Sequence, residues 1–354
     1  MTRVIWKARS PLRMDFVGMT DQHHFSRRCG GYVVNAAIGP YLEATLSPRR
    51  DGRVTITAHD LGKSVAAETA DALPTRGSLA LLAGVVKPFA GDLRRGADIV
   101  TYCSLPGGSG LGSSSAVSAC LIGLLAAYTG RRLAPTEIAQ RAIAAEREAN
   151  RSWYGWQDQY APVTGGGIKF LHWPRGGETG PTIDAIPLSD AAAAELETNL
   201  VLCDTGVRRQ ARIILDRVSA AIAAGDAGVI AALRKMNALA RRLRDALQAE
   251  RLHSLPALMN AVWAAHRELH PGVTSRRIER LIAIARDQGA LGARVCGAGG
   301  GGVMMLYCDH GAAGGVREAR ASVGARAVDY KIVPCGLQIW RAEPGPAEWR
   351  QIYA

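Results

Sequence analysis

The 354-residue sequence predicts an α+β protein, and three patterns carry that prediction. Apolar residues alternate in residues 13–17, 33–46 and 53–58, the period of half-buried strands. Residues 114–128 are instead apolar nearly all round and follow a glycine-rich loop, the pattern of a buried helix. Beyond residue 200, helix-period segments lead to two strand-like runs around a second glycine-rich loop.

Taken in order, the alternating runs with a turn at Asp51-Gly52 imply an antiparallel N-terminal sheet. Residues 98–103 read as a further strand feeding the glycine loop, and Thr129-Gly130 closes the helix behind it. Pro135-Thr136 opens a second helix reaching Asn150. The turn-rich segment 153–167 ends in three glycines before a strand at 168–173. Residues 174–187 are rich in Gly and Pro with little periodicity, so the link between two domains, 1–180 and 181–354, is expected there. The second half reads as a strand at 200–204 and helices at 210–223, 226–250, 255–269 and 275–287. Strands at 294–296 and 303–308, a helix at 316–322 and strands at 327–333 and 337–341 complete it, with no internal repeat.

A chain of this length normally divides into two cores. Hydrophobic residues at 48% and charged residues at 21% exclude disordered and collagen-like classes. The formal charge of +12 could serve nucleic acid, an acidic membrane or anionic small substrates. Its arginines are dispersed in pairs such as Arg27-Arg28 and Arg208-Arg209, without a basic block interleaved with aromatics, which excludes a nucleic-acid stripe. Seven cysteines, an odd number without a CxxC pair, read as reduced core residues. The longest apolar stretch, 116–128, is interrupted by Ser118 and Gly123 and is too short to span a bilayer, so no membrane partner and a cytoplasmic location are expected. The sequence leaves a homodimer open.

The chemistry concentrates in four places. Pro106, Gly107, Gly108, Ser109, Gly110, Leu111, Gly112, Ser113 and Ser114 form a glycine and serine loop at a helix N-terminus, where unpaired N–H groups and the helix dipole favour phosphate. No Lys follows the last Gly, so it is not a Walker A loop. The hydroxyls that open the helix, with the Glu146 carboxylate, offer oxygen ligands to a hard cation such as Mg²⁺. Asp158, flanked by Gln157 and Gln159, is placed to accept a hydroxyl's proton, the modest basicity that phosphoryl transfer requires. The run 297–302 places four consecutive glycines, Gly299 to Gly302, between two strands, implying backbone packed against another loop or a ligand.

Together these elements resemble the GHMP kinases, a superfamily with three ordered motifs. Residues 10–16 (Ser-Pro-Leu-Arg-Met-Asp-Phe) match the first, 106–116 the second and 295–305 the third. Thr20-Asp21, residues 30–35, 157–160 and 291–302 look most like the D-glycero-D-manno-heptose 7-phosphate kinase branch. The resemblance implies an N-terminal domain like ribosomal protein S5 domain 2, a ferredoxin-like C-terminal domain and an active site between them. It implies ATP and Mg²⁺ as cofactors, and a sugar phosphate phosphorylated at its anomeric hydroxyl. By the same resemblance Asp158 and Arg13 are catalytic, residues 106–114 cradle the triphosphate, and Ser114 and Glu146 hold the metal. Asp21, Gly31, Asn35, Gln157, Gly299 and Gly300 lie around the substrate. Arg208, with Arg209, is a candidate for a distal phosphate, since paired guanidiniums suit that group.

The chain departs from the branch at residues 17–21, where Val-Gly-Met-Thr-Asp replaces a run of three glycines before Thr-Asp. The sugar pocket is expected to differ there. His23-His24 follows, and is expected on a polar pocket wall or the surface. Two alternatives remain: a kinase for an unphosphorylated sugar or natural-product intermediate, and a nucleotide-binding regulator without turnover.

Overall fold

A computed structural model describes residues 4–105, 107–150, 155–177, 180–208 and 211–342. Pro106, Trp153, Arg209 and Gln210 lie outside the described residues.

Two long strands organise the larger half. β1 (Ile5–Val17) pairs antiparallel with β2 (Gly31–Pro48), and the register shifts between Pro11 and Leu12 and again between Asp15 and Val17. The second irregularity lets β1 carry Arg13 and Asp15 to the end of the sheet where the site forms, since such a shift re-aims side chains. Between β1 and β2 the chain makes a short helix, α1 (His23–Cys29). β3 (Val54–Ala58) and β4 (Lys63–Ala67) form a hairpin, and helix α2 (Ala80–Val86) leads to β5 (Ala97–Cys103).

The expected antiparallel arrangement needs correction here. β5 inserts between β2 and β3 and runs parallel to β3, so Asp51-Gly52 joins strands that are not neighbours. Alternation fixes which face of a strand is buried but not its partner, and the connection through β4 and α2 is long enough for a parallel crossover.

Helix α3 (Ser113–Tyr128) is buried from Ser115 to Ala126 and packs on β1 and β2, which explains its apolar circumference. α4 (Pro135–Asn150) covers it, and a single turn, α5 (Gln157–Tyr160), precedes β6 (Ile168–Trp173). The segment expected to link domains contains another strand, β7 (Thr182–Ile186), paired with β6.

The smaller sheet follows. After α6 (Asp190–Asn199), capped by Ser189, come β8 (Leu200–Asp204), α7 (Ala211–Ala224), α8 (Ala227–Gln248), α9 (Leu255–Arg267) and α10 (Arg276–Asp287). Then β9 (Ala290–Val295), β10 (Val303–Cys308), α11 (Ala313–Ala321) and β11 (Arg326–Val328) close a four-stranded antiparallel sheet in the order β11-β8-β10-β9. This is the ferredoxin-like half with extra helices between its first two strands. The strand expected at 327–333 is two strands. β12 (Lys331–Ile332) pairs with β2, and β13 (Gln338–Ala342) pairs with β1. A division at residue 180 therefore leaves β7, β12 and β13 hydrogen-bonded in the larger sheet. Among the described residues no helix is long and apolar enough to cross a membrane.

Candidate functional site

The two glycine loops, almost 200 residues apart in the chain, pack against each other. Ser109 O accepts from Val303 N at 2.7 Å, and a Cβ on Gly302, whose φ is +77°, would lie 2.5 Å from Ser109 O. The second loop is also held from behind. Gly302 N donates to Val207 O at 3.0 Å, Gly302 O accepts from Thr205 N and Oγ1, and Gly300 N donates to Val273 O. Gly299 and Gly300 are thus buried against Val273, while Gly297 and Ala298 line the open cleft.

That cleft, about 350 Å³, lies beside Gly108, Gly110, Gly112, Ser113 and Ser114 at the N-terminus of α3. Ser109 and Leu111 are buried behind it and Gly107 is exposed outside its lining, so the loop divides into a face and a support. Gly112 caps the helix at φ +75°, and a Cβ there would meet Arg13 Cγ at 3.3 Å and Asp158 Cγ at 3.6 Å. Its lack of a side chain lets the guanidinium and the carboxylate approach the helix end.

Arg13 and Asp158 form a two-pronged pair, Nε to Oδ1 and Nη2 to Oδ2, both at 2.8 Å. Arg13 Nη1 also donates to Gly110 O, fixing the fork against the loop. Burial opposes the charge on Arg13, but Asp158 and Asp15 outweigh it and raise its pKa above the ordinary arginine value.

Behind this pair stands a second one that the sequence reading passed over. Arg294 and Asp15 are wholly buried; Nη2 reaches Oδ2 at 2.9 Å, Nη1 donates to Asp15 O at 2.7 Å, and Gly297 N donates to Asp15 Oδ1 at 2.8 Å. Asp15 therefore ties β1 to β9 and to the start of the glycine run. The available signal was Arg294 in an otherwise apolar strand, since a buried charge requires a partner.

At the other end, Asp21 is buried and accepts from Gln157 N at 2.8 Å. Burial pushes its pKa up to about 6; the Gln157 N–H works against the rise and the charge of Asp158 adds to it. A Cβ on Gly155 would stand 2.3 Å from Asp21 Oδ2, so the chain must be glycine there. Asn35 is buried and donates to Gln157 Oε1 at 3.4 Å, so it braces Gln157 and does not line the cleft. Gly31 packs on Thr20 O, 2.4 Å from a would-be Cβ, and likewise supports the 17–21 loop from behind. In that loop Met19 adopts a left-handed backbone, φ 67°, and lines the cleft where the branch pattern has glycine. His23 lies against Trp156, with ring centroids 5.3 Å apart and the planes tilted by 39°, and His24 lies beside it.

Glu146 lines the cleft with Ser113 and Ser114, and one of its buried oxygens has no hydrogen-bond partner among the described residues. Burial pushes its pKa up to about 7, opposed by hydrogen bonds from Ser115 and Gln159. The donor set suits magnesium, which takes one or two carboxylates and completes its shell with water and phosphate oxygens. A carboxylate whose charge is disfavoured by burial and by Asp158 is one that a cation would relieve. Arg208, in contrast, is held by Asp204 in a two-pronged pair at 2.8 and 2.6 Å, outside the cleft lining. Arg212 and Arg147 line the cleft instead.

Two family models match the chain, GHMP kinases N terminal domain over residues 80–166 and GHMP kinases C terminal over residues 243–326. The first spans the phosphate-type loop, Glu146 and Asp158; the second spans Arg294 and the glycine run. A D-glycero-alpha-D-manno-heptose 7-phosphate kinase of Campylobacter jejuni is 27% identical over 95% of this chain and 98% of its own length. An L-fucokinase/L-fucose-1-P guanylyltransferase of Bacteroides fragilis is 27% identical over 96% of this chain, which spans 39% of that longer protein. A crystal structure of a sugar kinase from Campylobacter jejuni superposes with a TM-score of 0.79 at 26% identity, covering 96% of this chain and 99% of that one. With both family models matched in order and the same fold over the length of such relatives, the chain belongs to the GHMP kinases.

Proposed function

We propose that the protein transfers the γ-phosphoryl group of ATP to a sugar hydroxyl, the anomeric hydroxyl of a heptose 7-phosphate-type acceptor. The observation that carries this reading is the Arg13–Asp158 pair, held at the glycine-lined N-terminus of α3 inside the cleft. Phosphoryl transfer has a loose transition state, so catalysis rests on positioning and on charge neutralisation more than on a strong base. Asp158 would orient the acceptor hydroxyl and take its proton late. Arg13 would offset charge on the transferring group, and the amides of residues 108–114 would hold the phosphates. Glu146 and Ser114 would hold Mg²⁺, which when bound neutralises the nucleotide's phosphate charge. Asp21 and Gln157, supported by Asn35 and Gly31, would face the sugar. The 1–180 half would then supply the nucleotide loop, and the 181–354 half the glycine run behind it.

The similarity to the Campylobacter jejuni heptose 7-phosphate kinase over nearly all of both chains supports a phosphorylated heptose. A second reading, a free sugar as acceptor, is favoured by the capture of Arg208 by Asp204 and by equal identity to a fucokinase. ADP release with Mg·ATP across heptose 7-phosphates, hexose phosphates and free sugars separates them, with Asp158→Asn alongside. Turnover on one phosphorylated sugar, lost by about 10²-fold or more in the variant, supports the first reading. Turnover on free sugars alone supports the second, and full activity in Asp158→Asn overturns both.

A further inference from the structure

The cleft is not alone among the described cavities. On the far side of α1 lies one of about 480 Å³, floored by Phe25, Ile222 and Ile230 and rimmed by arginines. It adjoins a second cavity of about 360 Å³ that runs over Tyr32 and Asn237 to Arg241. The two share Arg28, Cys29, Arg175 and Arg234, and neither shares a lining residue with the cleft.

Three separate elements converge here. α1 contributes Arg28, the turn after β6 contributes Arg175, and α8 contributes Arg234 and Arg241, two turns apart on one helix face. Among the described residues no carboxylate lines either cavity. Among the described residues the contacts of three of them are neutral: Arg28 Nη1 donates to Ile222 O at 3.5 Å, Arg234 Nη2 lies 4.0 Å from Cys29 Sγ, and Arg241 sits 5.1 Å over the Tyr32 ring. Other arginines of the protein do meet carboxylates, as Arg49 meets Asp98, Arg131 meets Asp92 and Arg141 meets Glu137. Converging like charges without counter-charges repel one another, and an anion seated among them removes that repulsion. Guanidinium forks match phosphate oxygens in particular. Tyr32 is already stacked on His172 at 4.7 Å, so the apolar floor of the first cavity is what remains for a non-phosphate portion.

We propose that this arginine basin is a second binding site, separate from the cleft, for a small molecule bearing a diphosphate or polyphosphate group. The ligand places its phosphates among Arg28, Arg175, Arg234 and Arg241, and any organic part on Phe25, Ile222 and Ile230.

Calorimetric titration of the full chain with inorganic pyrophosphate tests this, any binding in the cleft being common to the wild type and to a variant altered only in the basin. Arg175→Ala/Arg234→Ala is the comparison, since both side chains are exposed and the variant is expected to keep the wild-type melting temperature. The expected result is a pyrophosphate site weakened by about tenfold or more in the variant, as for the loss of two charge-assisted contacts. A parallel titration with a nucleoside diphosphate identifies the source: tighter binding than pyrophosphate assigns an organic ligand, and equal binding assigns the free anion. No binding to the wild type, or binding unchanged in the variant, overturns the proposal. Because the readout is binding and the comparison isolates the basin, the outcome is independent of whether the cleft turns over any sugar.

Discussion

Replacing Asp21 by Asn should make the protein more stable at neutral pH. Burial raises the folded-state pKa of Asp21 from 3.8 to about 6. A carboxyl with a raised folded-state pKa favours the folded state below its unfolded pKa and loses that advantage as pH rises through the folded value. The shift of about two units, at about 1.4 kcal/mol per unit, sets a ceiling near 3 kcal/mol on the cost of ionised Asp21. The Asn carbonyl can keep the Gln157 N–H, but its NH₂ replaces an acceptor that also serves the Trp156 N–H, a loss of about 1 kcal/mol. Asp21→Asn is therefore expected to gain about 2 kcal/mol at about pH 8 and to lose that gain at about pH 4, where the wild-type group is protonated. Denaturant melts at the two pH values, with equal slopes, measure it. A difference between variant and wild type that does not change with pH, or that grows toward acid, would refute the assignment of a charge held against its burial. If Asp21 faces the acceptor as proposed, the stabilised variant also loses turnover.

Three further substitutions probe the surroundings. Gly302→Ala puts a Cβ 2.5 Å from Ser109 O at a φ of +77°, and should cost about 1–3 kcal/mol and weaken ATP binding in an equilibrium titration. Arg294→Met strands the buried Asp15 carboxylate and should cost about 3–5 kcal/mol in a guanidinium melt, with Asp15→Asn in the same chain restoring part of it. Arg208→Ala removes an exposed pair with Asp204, and should change stability by at most about 1 kcal/mol and leave acceptor affinity untouched.

What the sequence made legible was whatever depends on local chemistry. The loop before α3 was readable because glycines and serines punctuate it and an all-apolar helix follows. The long strands were readable from their period, but the insertion of β5 between β2 and β3 was not, because alternation carries no record of neighbours. α6 escaped notice although Ser189 caps it, its Oγ accepting from Ala192 N at 3.2 Å. In the site, Asp158 was readable from its loop and Arg13 through family resemblance, but their direct pairing across 145 positions came only from the structure. Asp15 and Arg294 were missed because each is an ordinary charge until the fold buries both. The glycine run was readable as closely packed backbone, but Gly299 and Gly300, expected around the substrate, pack on Val273, and it is Gly297 and Ala298 that line the cleft.

The interlock of the two glycine loops has a consequence for synthesis. A ribosome completes residues 108–112 in the first third of translation, yet the N–H of Val303 that supports Ser109 emerges only after most of the chain is made. β1 waits longer still for its outer partner, β13. Contacts this distant close late and slow the final step of folding. The phosphate-type loop of a nascent chain therefore lacks its backing until the last strands arrive, and nucleotide binding becomes a readout of completed synthesis: a chain halted before residue 296 should carry the loop and helix α3 and yet hold ATP only weakly.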